Sequence, residues 1–402
     1  MNRKEIREIK KRFKPEADNF SHIYGCYVNA AKEVVSEMDL QIMTMTQEEK
    51  EMYMNILKKT LSGSLGRNLV DLEFATEQVG SSDEHTMLQA LRMSGCGDEN
   101  MREVLYRRII ESLDMEEKSY VILLAADSYD VPYKATGDED WDEDSTDQFD
   151  YFVCCICPVK DSKSALRYFA EEKNFREAST GTLLSAPIAG FMFPAFDGRA
   201  TNIYNALYYT RSASDIHEEL IQAVFNVPRI PMAAASQKDA FDSALNDALG
   251  DECRMDVVKS LHVQIQEKVQ EYKESREPGV PEIDIDDVSE MLMKSGVSDD
   301  RISDFTEECR RNFGDQTVLN PGNLIESRKF EVKTPEARIA IDPEHIFTLK
   351  TRVIDGTEYL MIPMGEGVVV NGVDVHAGER DDGDGSAAGM SDDPERIPDN
   401  AE

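Results

Sequence analysis

Long apolar runs are missing from this 402-residue sequence. Stretches such as Val121–Ala126 and Val368–Val370 are typical, and none approaches the roughly 20 residues that a membrane helix requires. The opening stretch MNRKEIREIKKRF is basic but has no apolar core, so it does not read as a secretory signal. Both absences point to a cytoplasmic protein without membrane contact. Cysteine is sparse and odd in number, with seven residues at 26, 96, 154, 155, 157, 253 and 309. That pattern suits reduced thiols better than a disulfide framework. Cations are the largest deficit: 44 Lys and Arg stand against 79 Asp and Glu, a formal net charge of −35. Duplex DNA is bound mainly by cations that displace counterions from its phosphates, so this surface on average repels it.

What is present fits a soluble globular chain, 41% hydrophobic and 31% charged. Its length suggests two domains. The charge is uneven. The first fourteen residues carry seven basic side chains against two acidic ones. Arg3, Lys4, Arg7, Lys10, Lys11 and Arg12 could form a local patch for nucleic acid, or simply a solvated helix face.

Asn2 and Glu5 have capping-box spacing, and Ile6, Ile9 and Phe13 follow at helical intervals, predicting a first helix that ends near Lys14-Pro15. TQEEKEMYMNILKKTLSG predicts a second, capped by Thr46, and 84–94 and 99–113 two more. Beyond this helical lead-in, SYVILLAADSYDVP (119–132) and FDYFVCCICPV (149–159) read as buried strands. AGFMFPAF and IYNALYYT read as two further strands flanking Asp197-Gly198 in a longer loop. Helices return at SDIHEELIQAVFN, with Ser214 or Asp215 as cap, and at SQKDAFDSALNDALG. They continue along the stripe Val258, Leu261, Ile265, Val269 and Tyr272. The expected class is α+β around a mainly antiparallel sheet. SREPGVPE suggests a linker at 276–283 after a main domain of 1–275. A helix pair and a small β unit then occupy 284–376, the latter marked by Asp355-Gly356 and Asn371-Gly372, strong hairpin turns. Residues 377–402 carry nine acidic and two basic side chains without apolar pattern and read as a disordered tail.

The cysteine cluster invites a metal or thiol chemistry. In a strand, side chains alternate faces, so Cys154 and Cys155 point apart. Cys155 and Cys157 share a face but are separated by about 6.6 Å of rise, too far for two ligands placed at fixed positions about one zinc ion without rearrangement. No metal or other cofactor is implied. A nucleophilic Cys155 or Cys157 would need a base, for which His217 is the candidate, with Asp127 as a conceivable orienting group. Core packing is the simpler account of the thiols.

DEDWDED (138–144) places Asp138, Asp140 and Asp142 as in a calcium loop, but Glu143 stands where glycine must turn and Phe149 where a bidentate glutamate should bind. TLSGSLGRN (60–68) lacks the Gly-Lys-Ser/Thr ending of a phosphate loop. The helix pair at 286–313 has a helix-turn-helix outline, yet its second helix bears Asp299, Asp300, Asp304, Glu307 and Glu308, where cationic or amide donors would be needed.

Together, KKTLSGSLGRNLVDLEF, YVILLAADSYDVPYK, YFVCCICPVKDSK, GFMFPAFDGRATNIYNALYYT, KFEVKTPEARIAI and TRVIDGTEYLMIP resemble a bacterial family known as domain of unknown function 4317. The resemblance runs from about residue 2 to residue 375 and carries no catalytic residues over. The order of an α+β body, an acidic helical stretch, KFEVKTPEARIAI and a β unit is also similar to the bacterial nucleoid-associated protein family, which implies nucleic-acid contact.

The sequence therefore favours a non-enzymatic binding or regulatory protein acting through protein partners. A nucleic-acid-binding factor using the basic N-terminal helix is the first alternative, and a cysteine hydrolase or transferase the second.

Overall fold

The computed structural model describes residues 1–132, 147–161, 166–169, 171, 173–177, 181–275, 277–314, 318–364 and 367–375. The DEDWDED stretch and the acidic tail lie outside them. The chain divides into two compact units, Met1–Pro343 and Glu344–Glu402.

The first unit is α+β. Helix α1 (Arg3–Lys10) starts with a complete capping box: the Asn2 side chain accepts from the N–H groups of Lys4 and Glu5, and the Glu5 carboxylate accepts from the Asn2 N–H. The helix stops at Lys10, short of the expected Lys14-Pro15 boundary, and Pro15–Ala17 forms a separate 3-10 turn. Helix α2 (Gln47–Lys59) repeats the box with Thr46 and Glu49. Helices α3 (Asp83–Met93) and α4 (Glu99–Ser112) fall close to their predicted positions.

The lead-in is not only helical. It holds β1 (His22–Val28), β2 (Val34–Gln41) and β3 (Leu69–Glu73) of the central sheet. The other members are β4 (Tyr120–Val131), β5 (Asp147–Asp161), β6 (Thr182–Leu184), β7 (Ala189–Phe193) and β8 (Asn205–Thr210). The order is β2-β1-β4-β5-β7-β8-β3, with β6 beside the far end of β5, and every pairing is antiparallel. Asp197-Gly198 lies not in a longer loop but at the tip of a tight hairpin, Ala195–Asp197 with Ala200–Asn202. Gly198 and Arg199 both take positive φ (58° and 62°), as a type I′ turn demands.

Strict alternation sends the side chains of each strand to two separate cores. Ile122, Leu124, Phe152, Cys154, Phe191 and Tyr208 join α3, α4 and α5 (Glu218–Val224) on one face. Val121, Leu123, Val153, Cys155, Met192 and Leu207 join α1 and α2 on the other. Both faces are covered, so the central strands read as near-continuous apolar runs.

A third core is helical, built from α6 (Ala234–Leu249), α7 (Met255–Ser275), α8 (Ile285–Lys294), α9 (Asp299–Phe313) and α10 (Pro321–Leu324). It takes side chains from both sides of the 276–283 segment, with Leu261 and Ile265 meeting Ile283, Ile285 and Phe305. Along α7 the buried face runs through Val257, Leu261, His262, Ile265 and Val269, so Val257 rather than Val258 begins it. Helix α6 begins at Ala234 without a side-chain cap, two residues before the expected Ser236.

In the second unit, Lys350–Ile354 pairs with Thr357–Met361 and Val368–Val370 with Val373–Val375. Asp355-Gly356 and Asn371-Gly372 turn them with positive φ at both central residues.

Gly190 on β7 faces Cys155 across the sheet. A Cβ there would stand 2.5 Å from the Cys154 carbonyl oxygen and 2.6 Å from the Thr60 Cγ2. Alanine normally gains about 0.5–1 kcal/mol over glycine inside a regular element, but backbone crowding of this kind costs about 1–3 kcal/mol. Gly190→Ala is expected to lower stability by about 1–2 kcal/mol net, measured as a lower urea midpoint at unchanged slope; an unchanged or higher midpoint would contradict the packing.

Candidate functional site

The three central thiols are wholly buried. Cys154 belongs to the core under α3, α4 and α5, while Cys155 and Cys157 belong to the opposite core. Cys154 and Cys157 have CxxC spacing, a feature that in a loop or helix end would bring the two sulfurs together; here the sheet lies between them. Cys155 and Cys157 share a face, and against the separation expected from their about 6.6 Å of rise their side chains lean together, with sulfurs 3.8 Å apart and the Cys157 thiol donating to Cys155. That hydrogen bond, reinforced by burial, holds the Cys155 thiol well above its usual range, and burial does the same for Cys154. A nucleophile needs its thiolate, which burial and that hydrogen bond disfavour at Cys154 and Cys155.

His217 sits elsewhere. It occupies the N-cap position of α5 in a left-handed conformation, φ 55°, and contributes no side-chain cap. Its N–H donates to Asp215 Oδ1 (2.8 Å), and its Nδ1 lies 3.2 Å from Asp215 Oδ2. Ser214 and Asp215 thus precede the cap position that the sequence suggested for them. Because α5 packs on the Cys154 face, the sheet separates His217 from Cys155 and Cys157.

Asp127 is likewise occupied on the Cys155 face. Its carboxylate is almost fully enclosed and receives Arg12 Nε (2.9 Å), Arg12 Nη2 (3.0 Å) and the Tyr151 hydroxyl (2.9 Å). The Arg12 guanidinium also stacks 4.9 Å over the Tyr129 ring, and its own pKa is raised chiefly by the hydrogen bond to Asp127. Next to it, Glu8 receives the Tyr129 hydroxyl (2.8 Å) and Arg199. This cluster fastens α1 to the sheet.

Arg12 is therefore structural. Arg3 lies 5.9 Å over the Tyr272 ring, and its N–H donates to the Pro278 carbonyl (2.9 Å). Lys4, Arg7 and Lys11 are exposed, and Lys10 is half-buried. Burial, then the nearby charges of Lys58 and Arg7, lower the pKa of Lys10. The phosphate-loop-like stretch is closed rather than cradling: Gly66 N–H donates to the Leu69 carbonyl, and the Gly66 carbonyl accepts from Asn323 Nδ2 (2.8 Å). Among the described residues no group of three or more His, Cys, Asp or Glu is arranged to hold a metal, and no helix is long and apolar enough to cross a membrane.

The feature that sequence reading missed is the free edge of β3. Asn68 accepts from the Thr210 N–H and the Phe74 N–H donates to Tyr204. In an antiparallel pair only alternate residues exchange bonds with a given neighbour, so 68, 70, 72 and 74 face β8 while 69, 71 and 73 face outward. The Leu69 carbonyl is taken by Gly66, leaving the backbone groups of Asp71 and Glu73 along the open edge. Beside them lies a groove of about 680 Å³, walled by Pro228, Pro231 and Val318 and lined by Asp71, Glu73, Glu282 and Arg229, with the amino-terminal ammonium on Asp71 as a second cation. Burial raises the pKa of Asp71, although the amino-terminal ammonium sits 3.2 Å from its carboxylate and opposes the shift. The only sequence sign of this edge was the alternation in LVDLE, whose five residues are too few to stand out.

In comparisons with known proteins, residues 1–373 match the family model described as Domain of unknown function (DUF4317). No curated protein matches the chain. The similarity to nucleoid-associated proteins finds no support there.

Two outcomes follow from this geometry. Arg12→Ala strips an enclosed carboxylate of its cation and should cost about 3–5 kcal/mol, with Arg12→Lys recovering only part because a lysine cannot bind both oxygens as a planar fork; denaturant unfolding measures both, and a loss below about 1 kcal/mol would reduce the pair to a surface bridge. With a thiol reagent near pH 8, half-buried Cys253 should react first and the six buried thiols only on unfolding; rapid native labelling of Cys155 or Cys157 would contradict their burial.

Proposed function

We propose that this chain, which belongs to the DUF4317 family, is a binding protein that captures an extended, cationic segment of a protein partner along the open edge of β3. The observation that carries the reading is the coincidence of an unpaired strand edge with a walled groove of matching character. Asp71 and Glu73 supply outward backbone donors and acceptors, so an added strand extends the ladder. Their side chains project on one side of β3, where a lysine or arginine of the added strand would meet the exposed Glu73 carboxylate, while that of Asp71 already holds the amino-terminal ammonium.

Charge accounts for selectivity. Exposed edges invite pairing with further copies of the same chain. Two β3 edges brought together would set like charges opposite each other, which is unfavourable. A cationic strand meets the reverse situation, and the net charge of −35 steers it inward over a longer range. The opposite edge, β2, offers less: its first four side chains, Val34 to Glu37, stand in solvent.

The basic N-terminal helix supports a nucleic-acid reading less well. Arg12 is committed to Asp127, and the Arg3 guanidinium lies over the Tyr272 ring.

The test is a titration of the full chain with the peptide Lys-Val-Lys-Val-Lys, followed by calorimetry or by amide shifts. Binding is expected, weakening with added salt, lost when alternate peptide nitrogens are methylated, and weaker by about ten-fold in Glu73→Lys. Binding should also decline as pH falls toward the raised pKa of Asp71. Failure to bind, indifference to N-methylation, or preference for a duplex oligonucleotide in place of the peptide would overturn the proposal.

A further inference from the structure

The helical core of the first unit contains a second cavity, about 430 Å³ in volume, that shares no lining residue with the β3 groove. Leu245 of α6 and Val258 of α7, both half-buried, give it open apolar surface. Leu261, Ile325 and Phe330 continue the apolar wall. His262 of α7 stands among them, with Nε2 3.4 Å from the Glu326 carbonyl oxygen. Burial lowers its pKa, so it adds no charge near neutral pH.

The margin of this cavity is charged, and its balance runs against that of the protein. Lys238 is matched by Asp242 at 2.7 Å. Glu331 is not matched one to one: Lys329 (3.0 Å), Lys333 (3.1 Å) and Arg338 all converge on its carboxylate. Those bonds, Arg338 first, hold the Glu331 carboxyl at about 2. It therefore sets one negative charge against three positive ones. With the exposed Glu326 included, four cations stand against three carboxylates, in a chain whose acidic residues outnumber its basic ones by 79 to 44. Lys329 and Lys333 are 41% and 65% exposed, so their ammonium groups are free to turn from Glu331 toward a ligand.

We propose that this cavity binds the anion of a free medium-chain fatty acid, its alkyl chain against Leu245, Val258 and Phe330 and its carboxylate beside Lys329 and Lys333. The volume falls within the range of small-molecule sites, and an apolar wall with a few charged groups at one margin is suited to an amphiphile. The carboxylate brings the negative charge that three cations sharing Glu331 lack, through charge-assisted hydrogen bonds. An uncharged chain of the same length gains only the apolar contact. A shorter acid gains the same head contact but buries fewer methylenes. The site is thus opposite in selectivity to the β3 groove, where Glu73 calls for a cation.

Calorimetric titration of the unmodified full chain with decanoate, octanoate and decanol, near neutral pH and below micelle formation, tests this. Decanoate should bind about ten-fold more tightly than octanoate, which has two fewer methylenes to bury. It should also bind about ten-fold more tightly than decanol, which has the chain without the charge. Lys329→Gln combined with Lys333→Gln leaves Arg338 alone with Glu331 and should remove the preference for decanoate over decanol. Leu245→Trp, which fills the cavity, should weaken all three ligands while the far-ultraviolet spectrum stays that of the parent. Absence of decanoate binding, equal affinity of the parent protein for any two of the ligands compared, or an undiminished preference in the double variant would overturn the assignment.

Discussion

A sheet covered on both faces constrains everything else in the first unit. Its central strands send alternate side chains into two different cores, so almost no polar chemistry can be built on them. Cys154, Cys155 and Cys157 show the consequence. They are close in sequence, yet one lies under α3, α4 and α5 and two lie under α1 and α2. Desolvation and the Cys157–Cys155 hydrogen bond then keep the thiols of Cys154 and Cys155 protonated. The two-sided cover ends at the edge of β3, the last strand of the sheet.

Charge in this protein is arranged by burial more than by pairing. Several ion pairs lie in solvent, as with Lys118–Glu116 and Arg254–Asp256, where each contributes little. Others are enclosed, as with Arg199–Glu8 and Arg108–Glu84, and Asp127, matched by Arg12 and Tyr151, is the most enclosed acidic partner among the described pairs. That pair explains why a helix rich in cations lies on the sheet of an acidic protein. Part of the basic character of α1 and the residues after it serves to anchor them. The acidic excess is left on the outside: among the described residues Glu5 and Asp127 are the buried acidic side chains.

Local signals in the sequence hold at some element ends and fail at others, as where His217 rather than Ser214 or Asp215 takes the cap position of α5. The capping boxes at Asn2 and Thr46 and the Asp355-Gly356 and Asn371-Gly372 turns are formed by residues within a few positions of each other. Strands β4 and β5 were legible because burial on both faces makes them apolar along most of their length. Asp197-Gly198 was legible as a turn but not as a tight one, since the positive φ of Arg199 has no counterpart in residue type. β1, β2 and β3 were not legible. β2 is exposed over most of its length, and β3 is five residues long, so neither shows a lasting period.

Sequence alone determined the α+β class, the alternation that separates Cys154 from Cys155 and Cys157, and the acidic surface, because each follows from residue type and near-neighbour spacing. Tertiary structure decided the rest. It alone set which strand ends the sheet, and therefore that Asp71 and Glu73 carry free backbone groups beside a groove. It alone placed His262 on the buried face of α7, with its Nε2 opposite Glu326, 64 positions along the chain. Edges and cavities are made by contacts between distant segments, and no local pattern of residues encodes which segments will meet.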